Sequence, residues 1–471
     1  GWNDVSWNND KMYTPNLEKL AREGVILEQH YVLPTCTPTR AALLTGRYPF
    51  RYGLQRNAIR HLEPDGLPVG LRTLAEELKD RNYSTHAFGK WHLGYCNWSL
   101  TPTHRGFDTF HGYYLGSQDY FTHMGKERRG EVKTTGYDYR NNEYVDWAAK
   151  GHYSTTLIAR NVVRRIEQES KKSEPMFLYV AFQAVHAPLH ELNLYQANCS
   201  NHTNQMRKKI CEMAAAMDDA VGVIVQKLKD VEMWNNCLLV FMSDNGGQVR
   251  YGGSNWPLRG NKNTLYEGGT RVPAFVSGPL LNRTNDRSSS LIHVVDWFPT
   301  LLGATGVKNV LKDIDGVDQW PMIMDEACVA PRTQFIYNFD SRDGKLFGAI
   351  RDNYLKLILR PQKKFSGWYK EPVDEPENLT SVKDAQTMVL YNISADPYET
   401  TDLFGALQEE SKRLFCELAE RAPEMVPSRD LKDDPRGDPS LQEERGVYSP
   451  GWCTAPLWKM PERRINELKC C

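Results

Sequence analysis

The sequence predicts an α/β protein: a large mixed sheet, mostly parallel, sandwiched by helices, plus a smaller C-terminal domain with a short antiparallel sheet. Three observations carry this. As far as about residue 330, short apolar runs alternate with amphipathic stretches, the pattern of a sheet covered on both faces. Beyond it, apolar segments of strand length follow one another with turns between them. The length of 471 residues, 40% hydrophobic and 25% charged, can bury a large core and excludes global disorder. The expected domains are therefore 1–330 and 331–471.

In chain order, residues 14–24 read as a helix: Thr14-Pro15 opens it, Leu17 and Leu20 line one side, and Gly24 ends it. Residues 25–32 read as a strand. A short helix opens right after Cys36, over 38–45, closed by Gly46. Residues 71–78 are helical and 83–88 strand-like. Residues 153–169 place Leu157, Val162 and Ile166 on one side of a helix. Residues 176–182 form an apolar strand, 206–229 a long helix, 238–242 and 273–276 buried strands, and 292–302 a helix. Short strands follow at 335–339, 347–351, 354–359 and 389–393, with a Pro- and Glu-rich loop at 370–377. The polar stretch 429–446 is expected to wrap the surface.

Charge and cysteine usage bound the function. Lys+Arg is 58 against Asp+Glu 59, a net charge of -1, which argues against a nucleic-acid binder or a polybasic membrane protein. It leaves room for a local basic pocket. No apolar run approaches the roughly 18 residues of a membrane span. The chain opens at Gly1, without methionine or signal peptide, as expected of a processed or shortened product. Its 10 cysteines form no CxxC. Sequons stand at Asn82, Asn97, Asn198, Asn201, Asn282, Asn378 and Asn392, Asn82 being the weakest because a buried strand follows it at once. Together these point to the secretory route, where disulfides persist; chance sequons with buried thiols are the alternative. Cys470 and Cys471 are expected to pair with other regions or with another chain.

The most specific segment is Cys36-Thr37-Pro38-Thr39-Arg40, running on to Leu44-Thr45-Gly46-Arg47. A thiol at a helix start has a lowered pKa, so by itself it reads as a nucleophile or as a buried packing residue. Cys-x-Pro-x-Arg followed by Leu-Thr-Gly-Arg resembles the signature of the sulfatase family. The stretches 88–94 (Phe-Gly-Lys-Trp-His-Leu-Gly), 185–188, 243–247, 256–262, 291–297 and 396–403 are similar to that family in the same order. Asn82 departs from it, standing where a glycine often precedes the tyrosine. The resemblance spans nearly the whole chain and looks nearest to the arylsulfatase B (N-acetylgalactosamine-4-sulfatase) branch. It implies an alkaline-phosphatase-like fold, a bound Ca2+, and oxidation of Cys36 to formylglycine (3-oxoalanine) by the formylglycine-generating enzyme.

Each site residue also has a plainer reading. Lys90 and His92 alternate on an extended segment and so share a face, or are an exposed lysine and a core-edge histidine. His186 follows an apolar strand, as a site residue at its tip or as a structural histidine. Asp244-Asn245 follows a buried strand, as hard-cation ligands or as an ordinary turn. Lys262 lies in a Gly- and Asn-rich loop, as a sulfate contact or merely solvated.

The resemblance assigns roles. Hydrated formylglycine at Cys36 attacks sulfur, and the alcohol leaves with a proton from His186 or Lys262. His92 then deprotonates the second hydroxyl, which expels sulfate. Arg40 orients the formylglycine, and Lys90 bridges it and the sulfate, which His186 and Lys262 also contact. The modified Cys36, Asp244 and Asn245 are the metal ligands this sequence supplies. In the family two further metal-binding aspartates end a first strand just ahead of the Gly-Trp-Asn-Asp stretch, which here is Gly1 to Asp4; Asp4 is not at their position and is not assigned. The expectation is an N-terminally incomplete chain of an active enzyme, with a chain that cannot turn over as the alternative.

The expected activity is hydrolysis of aryl sulfates and sulfated amino-sugars of glycosaminoglycans, in a lysosomal or secreted protein without nucleic-acid partner or membrane span. A non-enzymatic sulfoglycan-binding protein and a phosphoryl-transfer relative of alkaline phosphatase are the rivals. Trp256 or Tyr120 stacks on a sugar or aryl ring, or packs in the core.

Overall fold

The computed structural model describes residues 1–129, 132–307, 311–325, 327–342, 344–372 and 387–458. Two sheets position the site. In the 5-stranded one, Ser84–Lys90 pairs in parallel with Thr109–Tyr113 on one side and with Met176–Ala181 on the other. The 4-stranded one runs Leu239–Met242, Ala274–Ser277, Val25–Leu27, Asp286–Ser288, with antiparallel and parallel pairs. The framework is thus mixed, as the overall class predicts, but less parallel than the alternation of elements suggests.

Side chains alternate across Ser84–Lys90, which sets its two covers. Phe88 meets the helices Ser154–Glu169 and Gln205–Asp230 through Ile158, Val162, Ile166, Ala220, Ile224 and Leu228. Ala87 faces the opposite way, into a core with Ala41, Leu44, Leu74, Phe110, Phe298 and Leu302. At residues 334–392, the strands Gln334–Arg342, Lys345–Asp352, Leu355–Leu359 and Met388–Asn392 pair consecutively and antiparallel. Their Ile350, Leu357 and Leu390 share one apolar cluster with Val25, Val276 and Trp297, so the core runs unbroken from one sheet into the other.

Several elements differ from the sequence reading. The stretch 25–32 is two strands, Val25–Leu27 and His30–Tyr31, with different partners. The stretch 292–302 begins as a strand, because Ile292 pairs with His30; the helix starts only at Trp297, after the Asp296 carboxylate has capped the His293 N–H at 2.9 Å. The strand Thr109–Tyr113 was not anticipated: its Phe110 and Tyr113 are buried, but His111 and Gly112 interrupt the apolar run. Its Gly112 lies beside Gly89, and a Cβ on Gly112 would sit 2.0 Å from the Gly89 carbonyl oxygen, so only glycine permits the approach. The hairpin Met124–Arg129 with Val132–Tyr137 and the helix Gln408–Ala419 were not anticipated. Most of the 370–377 loop, Asn378, Cys470 and Cys471 lie outside the described residues.

Two disulfides form, Cys96–Cys453 and Cys199–Cys211, with Cα separations of 5.4 and 5.8 Å. The first closes a loop of 357 residues and ties the C-terminal stretch to the segment after Lys90. The stretch 429–446 follows the surface, with Arg429 N–H bonded to the Gly53 carbonyl at 3.1 Å. Among the described residues no helix is long and apolar enough to cross a membrane.

Candidate active site

The helix Cys36–Thr45 begins at the cysteine itself rather than after it. Pro38, the third residue, has no N–H to lose in the first turn, so the helix opens two residues earlier than its proline suggests. Gly46, at φ 66°, ends it. Two threonines fasten this turn: Thr37 Oγ1 donates to the His92 carbonyl at 3.0 Å, and Thr39 Oγ1 to the Leu33 carbonyl at 3.1 Å. The Cys36 thiol is buried. Burial alone raises its pKa, but Lys262, Lys90 and Arg40 outweigh that and hold it below the usual thiol value.

Arg40, one turn along, joins the helix to the carboxyl ends of three strands, where ligands gather in such folds. Its Nε and Nη2 fork onto Asp244 Oδ2 at 3.1 and 2.8 Å, while Nη1 donates to the Lys90 carbonyl at 2.9 Å and to Tyr179 Oη at 3.2 Å. Lys90 ends its strand, buried, and forms no ion pair among the described residues. Burial lowers its pKa. The Asp244 carboxyl stays far below the carboxylate range: burial opposes this, and Arg40, Lys90 and Lys262 overcome it. Three cations thus converge on one carboxylate, leaving a positive site on a chain of net charge -1.

His186 and Lys262 complete the cluster. His186 Nδ1 lies 2.8 Å from the Ala187 carbonyl and donates to it, which leaves Nε2 as the acceptor, 3.4 Å from Lys262 Nζ. Burial, then Lys262 and Lys90, push the His186 pKa down to about 3. His186 is therefore neutral, and its Nε2 accepts from Lys262 Nζ. The Tyr120 ring is fully buried and its hydroxyl donates to the His186 carbonyl at 2.8 Å, so Tyr120 packs rather than stacking on a ligand; Trp256 is exposed.

His92 arrives by another route than strand alternation. The strand stops at Lys90, and His92 adopts φ 59°, a left-handed turn, so the shared-face argument does not hold. Its Nε2 donates to the Ile59 carbonyl at 3.0 Å, and its Nδ1 is buried without a partner. Burial and then Lys90 keep the ring neutral. Gly116 makes room for it: a Cβ there would stand 2.4 Å from His92 Cε1.

Among the described residues no cluster of three or more His, Cys, Asp or Glu side chains stands ready for a metal. Two hard oxygens nevertheless fit one. Asn245 Oδ1 is buried without a hydrogen-bond partner, while its Nδ2 donates to the Gly246 carbonyl at 3.0 Å, and the Arg40 fork engages only Oδ2 of Asp244. Asp4 is engaged elsewhere, paired with Arg207 and accepting from Ser254 N–H at 3.1 Å.

Sequence reasoning missed what holds the Lys262 loop. Arg259 donates to the Ser366 carbonyl at 2.7 Å, Tyr391 Oη at 2.9 Å and the Glu399 carbonyl at 3.0 Å, and lies over the Tyr266 and Trp368 rings. Behind it, Lys356 Nζ sits between Glu267 Oε1 at 2.8 Å and Glu399 Oε1 at 2.9 Å, all three side chains at 0% exposure. The available signal was Lys356, a lone charge inside the apolar run Leu355–Leu359. Lys356→Met is expected to cost about 3–5 kcal/mol of stability, measured by denaturant unfolding, because the buried Glu267 and Glu399 lose their cation. Burial raises Glu399 to about 7, against an unfolded value of 4.5. Between those values the folded state holds the extra proton, so this group's contribution makes stability fall as pH rises from about 4.5 to 7. Glu399→Gln removes it; the melting temperature of the variant relative to the parent should rise from pH 5 to pH 8, and a flat difference would contradict the assignment.

A buried thiol at a helix start, ringed by Arg40, Lys90 and Lys262, makes a site suited to a small anion. The chain belongs to the sulfatase family, whose model, described as Sulfatase, matches residues 1–307. It is a sulfuric ester hydrolase. It is 37% identical to arylsulfatase J of Mus musculus, over 96% of this chain and 78% of that one. It is 31% identical to N-acetylgalactosamine-6-sulfatase of Sus scrofa, over 75% and 69%. A solved chain described as Ps i-CgsB in complex with k-i-k-neocarrahexaose superposes with TM-score 0.78 at 28% identity, covering 92% of each. The alkaline-phosphatase-like architecture is thereby established.

Proposed function

We propose that this chain hydrolyses sulfate monoesters of amino-sugars, N-acetylgalactosamine 4-sulfate among them, and small aryl sulfates, through a formylglycine made from Cys36 and a bound calcium. The observation that carries the reading is the convergence of Arg40, Lys90, Lys262 and neutral His186 on the helix start that bears Cys36. A related chain is named for an N-acetylgalactosamine sulfate, and a neighbouring structure holds an oligosaccharide, which supports a sugar substrate.

Lys90, Lys262 and the His186 ring hold the anionic sulfate and offset its charge. Arg40, fixed to Asp244 and the Lys90 carbonyl, orients residue 36. Lys262 gives the departing alcohol its proton, the neutral His186 fixing its direction. His92 Nδ1, unprotonated and unpartnered, takes the proton that the release of sulfate requires. The hydrated aldehyde would supply two hydroxyls where a thiol has none; Asp244 and Asn245, with residue 36, would hold the cation, which would supply positive charge to offset that of the sulfate.

We further infer that 1–330 is the catalytic unit, that 331–471 supports the Lys262 loop, and that the protein meets the formylglycine-generating enzyme in the secretory pathway before lysosomal or extracellular residence. The two disulfides and the exposed sequon asparagines 82, 198, 201 and 282 support that route. Asn97 and Asn392 are only half-exposed, the Asn97 amide already donating to the Cys453 carbonyl at 2.9 Å.

Mass spectrometry of the tryptic peptide bearing Cys36, from protein made in a secretory host, tests the reading. An aldehyde or its hydrate is expected, with turnover of an aryl sulfate; a thiol throughout removes the nucleophile from the scheme. For the cation, millimolar calcium should raise the melting temperature by several degrees, at about 100-fold excess over Kd, and Asn245→Ala should shrink that shift. No shift with calcium would remove it from the proposal.

A further inference from the structure

The strands Met124–Arg129 and Val132–Tyr137 form a two-stranded ribbon in which Lys126 lies opposite Thr135, Glu127 opposite Thr134, and Arg128 opposite Lys133. Alternation sorts these residues. Lys126, Arg128, Lys133 and Thr135 are exposed on one face, while Gly125, Thr134 and Gly136 are buried on the other. None of the three cationic side chains has a hydrogen bond or ion pair with another described residue. Like charges directly opposite one another cost stability, so Arg128 facing Lys133 without a carboxylate is a feature an anionic partner would offset.

The inner face places this ribbon beside the site. Glu127 Oε2 accepts the His61 N–H at 2.9 Å, and Gly125 stands against Leu115 and the His61 ring. Those contacts fall on the two segments that hold His92: Ile59, whose carbonyl takes its Nε2 proton, and Gly116, which backs its ring.

We propose that Lys126, Arg128 and Lys133 form a docking strip for the rest of a sulfated polysaccharide whose terminal sulfate lies in the site. This rests on the sulfated-sugar reading above and adds a surface to it. The four exposed residues of the face include no apolar side chain, which a membrane surface uses for insertion; its aromatic end is Tyr137, buried and stacked on the half-exposed Trp147. Long, exposed cations fit a flexible polyanion, each contact being weak and the set acting mainly on affinity.

The test compares the parent with the triple variant Lys126→Gln, Arg128→Gln, Lys133→Gln, on chondroitin sulfate oligosaccharides and on a small aryl sulfate. The KM for the oligosaccharide should rise about tenfold, and elution from immobilised chondroitin sulfate should need less salt, while aryl-sulfate kcat/KM stays within about twofold. The charge-keeping variant Lys126→Arg, Arg128→Lys, Lys133→Arg should match the parent. Unchanged KM and retention overturn the proposal. So does an equal loss on both substrates that the charge-keeping variant shares, or parent binding to single-stranded DNA or phosphatidylserine vesicles as tight as to chondroitin sulfate. If the parent turns over no sulfated sugar, the functional reading fails, and the retention difference still decides the strip.

Discussion

Cys36→Ser is expected to fold like the parent and to lose steady-state hydrolysis of sulfate esters by about 10⁴-fold or more. The exchange is nearly isosteric at a buried position, and the anchors of the turn, Thr37 on the His92 carbonyl and Thr39 on the Leu33 carbonyl, do not involve the side chain at 36. Stability should therefore change little. What changes is the count of oxygens. Serine offers one hydroxyl, among the same cations Arg40, Lys90 and Lys262, and can take the sulfuryl group once while the alcohol leaves. No second hydroxyl then remains for His92 to deprotonate, and sulfate stays bound as an ester. The measurement is single-turnover release of a coloured phenol, followed by the mass of the chain. At most one equivalent of phenol, with a gain of one sulfuryl group, is the expected result. Continued turnover by the serine variant sinks the mechanism.

Candidate site residues that sit in short local motifs were legible in the sequence; the contacts joining them were not. Cys36, Lys90, His186, Asp244 and Lys262 each lie in a local pattern, and the structure brings them together. Arg40 pairing with Asp244 spans 204 positions and follows from topology alone. His92 was placed by the wrong geometry, because a left-handed histidine leaves no trace in hydropathy alternation. Thr109–Tyr113 failed for a related reason: Thr109, Phe110 and Tyr113 suit a strand, but His111 and the Gly112 that must press against Gly89 interrupt the pattern. Glu267 and Glu399 were invisible as a pair, although Lys356 in an apolar strand announced that some buried acid had to meet it.

Lys262→Ala should separate substrates by their leaving groups. An alkoxide leaving a sugar sulfate needs a proton as the S–O bond breaks, and a positioned general acid contributes about 10²–10⁴-fold, or about 3–5 kcal/mol. A nitrophenolate leaves without one. The variant should therefore lose about 10²-fold or more in kcat on a sugar sulfate and much less on nitrophenyl sulfate, and part of what both lose will be sulfate binding, visible in KM. His186 makes the assignment sharper. Burial, Lys262 and Lys90 push its pKa down to about 3, which favours a neutral ring from pH 5 to 8 and assigns the proton to another group. A loss of activity as pH rises within that window is then expected to persist in His186→Gln. His186→Gln, which keeps an acceptor for Lys262 Nζ, should retain the leaving-group pattern of the parent with a smaller fall in kcat than Lys262→Ala. Equal sensitivity of the lysine variant to both leaving groups would assign Lys262 to sulfate binding alone. A kcat limb near pH 6 that disappears in His186→Gln would return the proton to the histidine.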